Sequence, residues 1–216
     1  AKDLRLTLAR GTGLVQALLL GLVLIFVFSL SRVPGELFPA QGAAAVFWLS
    51  SLFCQVLVFN GLYSLEESGG ARLALLLAPM PPQAIWLGKG LAGMLLILTA
   101  QAVFIPASVA FLGQSLSDGW SQGLLSLIAV DLGLAGLGSL LGALAQGQAG
   151  RESLLSIILF PLLVPLLLAG IRLGTAALSG DVGEGLGGWF GLAFAFDAIY
   201  LGAALFLFPF VYRDAD

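Results

Sequence analysis

Long apolar stretches alternate with short polar ones along this chain, and most charged residues stand where a stretch begins or ends. Several stretches exceed the roughly 18 apolar residues that mark a transmembrane helix. The pattern predicts spans at 14–30, 43–63, 91–113, 123–145, 153–178 and 189–212. The longest break between them is 65–89, LEESGGARLALLLAPMPPQAIWLGK, which holds Glu66, Glu67, Gly69, Gly70, Arg72, Pro79, Pro81, Pro82 and Lys89. The other connections leave no room for a soluble domain, so residues 1–216 read as a single transmembrane domain of an all-α membrane protein.

Two stretches admit another reading. A basic start followed by an apolar run fits a signal peptide, but no small-x-small cleavage pattern follows 14–30, and five more spans do; it is expected to be a retained helix. Residues 2–13 before it, with Lys2, Arg5 and Arg10 among leucines, suit either a surface-lying amphipathic segment or a charged anchor. Leu73–Leu87 is apolar apart from Gln83, but at about 15 residues it is below the roughly 17–25 a span needs, and its three prolines break it. A short interfacial helix over 71–78, followed by a proline turn, is expected there instead.

Composition strengthens the membrane reading. Of 216 residues, 59% are hydrophobic and 10% charged, against about 25% charged in soluble domains. Charge placement then sets orientation. With the N-terminus inside, the cytoplasmic segments hold Lys2, Arg5, Arg10, Arg72, Lys89, Arg151 and Arg213, while the other face holds Arg32 and Arg172. Both termini are therefore expected in the cytoplasm. Trp48, Trp86, Trp120, Trp189 and Tyr212 then fall near span ends, as interfacial aromatics do.

Candidate enzyme chemistry is thin. Around Gly88-Lys89 the Walker positions hold Gln83 and Gly90, so no ATP-binding loop of that type is present. There is no histidine, on which zinc hydrolases and most proton relays lean. Cys54, the single cysteine, lies inside an apolar run and cannot form an intrachain disulfide. Cys54, Met80, Met94 and three tyrosines show no spacing that suggests haem ligation. No catalytic residue, no metal site and no nucleic-acid partner are expected.

Three ionisable residues fall within spans: Asp131, Arg172 and Asp197. Each such charge costs on the order of 3 kcal/mol on insertion scales, so each is expected to face protein or water and to find a partner. Counted from the loops, both carboxylates lie roughly 12 Å below the outer face, and Arg172 falls in the same half. A buried Arg172–Asp cluster tying spans four to six together is the expectation. Span five also carries Pro161 and Pro165, which kink a helix; a static kink and a hinge both account for them. A break near Gly170–Gly174 is expected. Gly138 and Gly142 of span four have the spacing that lets membrane helices approach closely.

Leu73, Leu75, Leu76 and Leu77 present more apolar surface than a solvated loop should. Glu66 and Glu67 would suit the positive N-terminal end of the short helix, with Lys89 marking the return into the membrane. A short rigid helix held at the membrane surface is something a cytosolic machine can grip. Glu66, Glu67, Gly70, Arg72, Leu73, Leu75, Leu76 and Leu77 are thus the candidate contact.

The order of Glu66, Glu67, Gly70, Leu75–Leu77, Pro79, Pro81, Gly88 and Lys89 resembles that of the haem exporter protein B (CcmB) family. Lys2-Asp3-Leu4-Arg5 and the run from Gly150-Arg151 through Pro161-Leu-Leu-Val-Pro165 resemble it too, and the likeness covers nearly the whole chain. Relatives tend to carry an acidic residue after the glycine, where this chain has Ala71-Arg72-Leu73. The resemblance implies a permease of the ABC-2, type V exporter-like kind in a bacterial inner membrane. It implies two copies of this chain with two copies of an ABC ATP-binding subunit. A haem-handling membrane protein, a small single-span subunit, a periplasmic haem chaperone and membrane lipid complete the set. ATP belongs to the partner subunit and haem is handled by the complex; no cofactor is expected on this chain itself. The lack of histidine favours release of a loaded chaperone over passage of haem through the chain. Competing readings are an ABC-2 permease for a lipid or drug, a stand-alone secondary transporter, and a structural scaffold.

Overall fold

The computed structural model describes residues 12–31, 38–68, 74–75, 77, 79–115, 119–145, 151–180 and 185–213; side chains are described for all of these but Thr12, 66–68, 151–160, Tyr212 and Arg213. The described residues form six long helices: α1 (Thr12–Leu30), α2 (Ala40–Ser68), α3 (Pro82–Leu112), α4 (Trp120–Leu144), α5 (Arg151–Ser179) and α6 (Leu186–Arg213). Each is long and apolar enough to cross a membrane. With 25 to 31 residues apiece, α2–α6 run about 37–46 Å at helical rise. That exceeds a hydrocarbon core of about 30 Å, so these helices tilt or project into the headgroups.

The ends of the helices follow local chemistry. Pro81 is extended (φ −68°, ψ 139°) and Pro82 takes the first helical position of α3, where a missing N–H costs nothing. Gly113 (φ 65°) and Gly180 (φ 72°) stop α3 and α5 in the left-handed region that side chains resist. Gln114 reinforces the first of these ends, donating from Nε2 to the carbonyls of Leu112 at 3.0 Å and Phe38 at 2.8 Å.

The core is organised on α4, which packs against α2, α3, α5 and α6, whereas α1 lies on α2 and α3. Small residues make this possible. A methyl added at Gly138 would stand 2.5 Å from the Phe59 ring, and one at Gly142 would stand 2.7 Å from the Tyr63 ring. Aromatic side chains of α2 thus rest directly on the α4 backbone, and close packing of this kind is what holds membrane helices together. Two buried clusters result. One centres on Phe59, Tyr63, Trp86 and Phe104, the other on Trp48, Leu134, Leu166 and Tyr200.

Three expectations change. The helix that carries the third span starts at Pro82, well before residue 91, because the two prolines start the helix and do not merely turn the chain before it. α5 continues through Gly170–Gly174 without a break. Those glycines instead receive the Trp48 indole, and a methyl at Gly170 would stand 2.7 Å from its Cε2. Trp48 and Trp86 are accordingly core residues, not interfacial ones.

Candidate functional site

Residues 65–82 cover the last turn of α2, its connection to α3 and the first residue of α3, at one end of the bundle. α2 extends through Ser68, so the backbone of Glu66 and Glu67 belongs to the C-terminal turn of α2 and not to the start of a separate short helix. That turn is the negative end of the helix macrodipole, whereas the positive end of a helix was expected at these positions. Their side chains, together with Gly70, Arg72, Leu73 and Leu76, lie outside the described residues. Of the remaining candidates, Leu75 is half-buried and packs on the core. Leu77 is 78% exposed and Met80 46% exposed, with Ala74, Pro79 and Pro81 exposed beside them. This end of the bundle therefore carries an apolar tip on a proline-stiffened turn.

Directly beneath lies a charged residue that the sequence pattern had placed at the membrane boundary. Lys89 is 1% exposed. Its Nζ donates to the Leu62 carbonyl at 2.8 Å and stands 4.2 Å from the centroid of the Tyr63 ring. Tyr63 Oη and Ser139 Oγ are hydrogen-bonded at 2.9 Å, and Ser139 Oγ donates to the Trp86 carbonyl at 3.3 Å. Trp86 Nε1 donates in turn to the Gly136 carbonyl at 3.3 Å. A chain of polar contacts thus links the end of α2, the start of α3 and the second half of α4.

Deeper in the bundle, Asp131 is fully buried, and its Oδ1 accepts from Gln101 Nε2 at 2.9 Å. The same amide donates to Ser51 Oγ at 3.3 Å, and Gln55 Nε2 donates to the Leu134 carbonyl at 2.6 Å. Gln55 Oε1, Gln101 Oε1 and Asp131 Oδ2 have no hydrogen-bond partner. Asp197 is 2% exposed, and its carboxyl group lies against the Gly133 backbone. It packs onto Gly133, where there is no room for a side chain.

The expected Arg172–Asp cluster does not form. Arg172 is exposed, with its guanidinium 5.7 Å from the Trp189 ring centroid. Asp131 faces Gln101 of α3, whereas Asp197 meets Gly133 two residues along, on the opposite side of α4. Equal depth brought the two acids to one level but not to one side. As for the proline pair, Pro161 and Pro165 both lie inside continuous α5, and Tyr200 Oη of α6 donates to the Leu162 carbonyl between them.

At the opposite end from residues 65–82, the halves of α2–α5 that meet there form a half-open apolar pocket of about 240 Å³. Phe47, Trp48, Trp120 and Leu124 line it, with Ser108 Oγ as an unpartnered hydroxyl.

Residues 1–215 match the family described as CcmB protein. Over 194 residues the chain is 28% identical to the heme exporter protein B of Rhodobacter capsulatus, covering 84% of each. Over 180 residues it is 27% identical to the heme exporter protein B of Pseudomonas aeruginosa, covering 83% of this chain and 80% of the relative.

Proposed function

The chain belongs to the CcmB protein family, and from that premise we propose that it is the membrane permease subunit of a haem-exporting ABC system. It is a multi-pass membrane protein with six apolar helices, and the proposed site is a bacterial inner membrane with both termini cytoplasmic. Energy comes from ATP hydrolysed in a separate ATP-binding subunit, present in two copies with two copies of this chain. That subunit engages residues 65–82, and the displacement drives haem delivery or release of a haem-loaded periplasmic chaperone. A haem-handling membrane protein and a small single-span subunit complete the proposed assembly.

The observation that carries the coupling role is the apolar tip at the α2–α3 connection. Leu77 and Met80 stay in the open while the helices on either side bury their polar groups against α4. An apolar tip on a braced turn suits insertion into a cleft of a soluble partner. The test is recovery of the complex from membranes with wild-type chain and with Leu77→Asp. The ATP-binding subunit is expected to come down with the first and to be depleted with the second. Recovery of equal ATP-binding subunit with both would remove the proposed contact, and an isolated chain that transports without any ATPase would remove the ABC reading altogether.

A further inference from the structure

α2 ends without a basic residue in its last turn, and the backbone of Glu66 and Glu67 lies at that same end. A helix C-terminus presents carbonyls and partial negative charge, and a cation there is stabilising. The nearest cation from the next helix does not cap that end: Lys89, seven residues into α3, places Nζ on the Leu62 carbonyl, six residues before Ser68, and over the Tyr63 ring. Tyr63 carries the link to α4 through Ser139, which returns it to α3 at the Trp86 carbonyl. The Tyr63 ring also lies against Gly142, so no slack separates α2 from α4 at this level.

We propose that Lys89 is a positioning residue that fastens both stems of the 65–82 connection to α4, so that a load on the connection moves α2, α3 and α4 together. The proposal rests on the reading that an ATP-binding subunit engages this connection. A lysine buried to 1% exposure needs its donors satisfied and its charge compensated. The Leu62 carbonyl and the Tyr63 ring contribute to that need, and they tie α3 to α2 next to the connection. α4 is the element that packs on α5 and α6 as well, and displacement of α4 therefore reaches the rest of the bundle.

Two measurements test this with the full chain. In the first, spin labels at Leu77→Cys and Ala145→Cys report the distance between the connection and the end of α4; native Cys54 is buried and escapes labelling. A narrow distribution is expected in the wild type. Lys89→Met and Tyr63→Phe are expected to broaden it, the second by cutting the link to Ser139 while leaving the ring under the ammonium. In the second, the assembled complex is assayed for c-type cytochrome formed per ATP hydrolysed. Lys89→Met is expected to lower that ratio about tenfold, the size of one charge-assisted hydrogen bond, with the ATP-binding subunit still recovered at wild-type stoichiometry. Unchanged distances overturn the proposal. So does a loss of chain, ATP-binding subunit and product in equal proportion, which is what a purely structural lysine would give. If wild-type chain recovers no ATP-binding subunit, the functional reading fails, while the label distances still decide whether Lys89 fastens the connection.

Discussion

Removing the Gln101 amide isolates the one donor that the structure gives Asp131. In Gln101→Leu the carboxyl loses its 2.9 Å hydrogen bond and Ser51 Oγ loses a 3.3 Å one. Asp131 Oδ1 would then join Oδ2, which already has no partner. Stranding a buried acceptor costs about 1–3 kcal/mol. Replacing both members by apolar groups removes the need as well as the donor, so Gln101→Leu/Asp131→Leu is expected to be no worse than Gln101→Leu alone. Measured couplings between polar partners in membrane bundles average about 0.6 kcal/mol and reach about 1.7 kcal/mol. The cycle should therefore close with a coupling in that range. Unfolding of the purified chain in mixed micelles, followed by helical circular dichroism, supplies the four stabilities. Strict additivity of the two single costs would refute the reasoning, because residues in one hydrogen-bonded pair do not act independently.

Further outcomes follow from single contacts. Gly138→Leu forces a side chain into Phe59 and Gln55 and should cost at least the 1–3 kcal/mol typical of overpacking (about that range); Gly202→Ala, with open space around it, should instead be neutral or slightly stabilising by thermal melting. Tyr200→Phe removes the bond to the Leu162 carbonyl, at a cost of about 0.5–1.5 kcal/mol, and hydrogen exchange should quicken in α5 around Pro161 and Pro165 more than elsewhere. Cys54, with no exposed surface, should resist maleimides in the folded chain and react only after denaturation; labelling at the rate of a free thiol would contradict the packing of α2.

Apolar run length made the helices legible, because a membrane span announces itself by the absence of charge. Rotation about each helix was not legible. These helices are apolar nearly all round, so no amphipathic stripe tells which side meets protein and which meets lipid. That is why Asp131 and Asp197 do not meet, one turning to Gln101 and the other to Gly133; Arg172 misses both because it lies beside Trp189, eight residues from Asp197 along α6. Gln101 and Ser51 passed unremarked in their runs for the same reason. The burial of Lys89 is hidden from the sequence for a different reason. A lysine beside an apolar run reads as solvated, and only the Leu62 carbonyl and the Tyr63 ring show that it is buried within a helix that begins at Pro82. Of the contact residues, Leu77 was picked out by its misplaced apolarity and is indeed open, while Leu75 belongs to the core.

Lys89 also bears on how such a chain is made. During insertion, a lysine flanking a hydrophobic segment is counted as a topological signal and held back from translocation. In the finished bundle the same ammonium is withdrawn from water and spent on Leu62 and Tyr63. On the proposed topology the residue would act twice, first in orienting a nascent hairpin and then in tying its helices together. Replacing it with a neutral side chain would disturb biogenesis and the mature assembly by separate routes, whereas moving the charge a few residues towards Pro82 would spare the first and abolish the second.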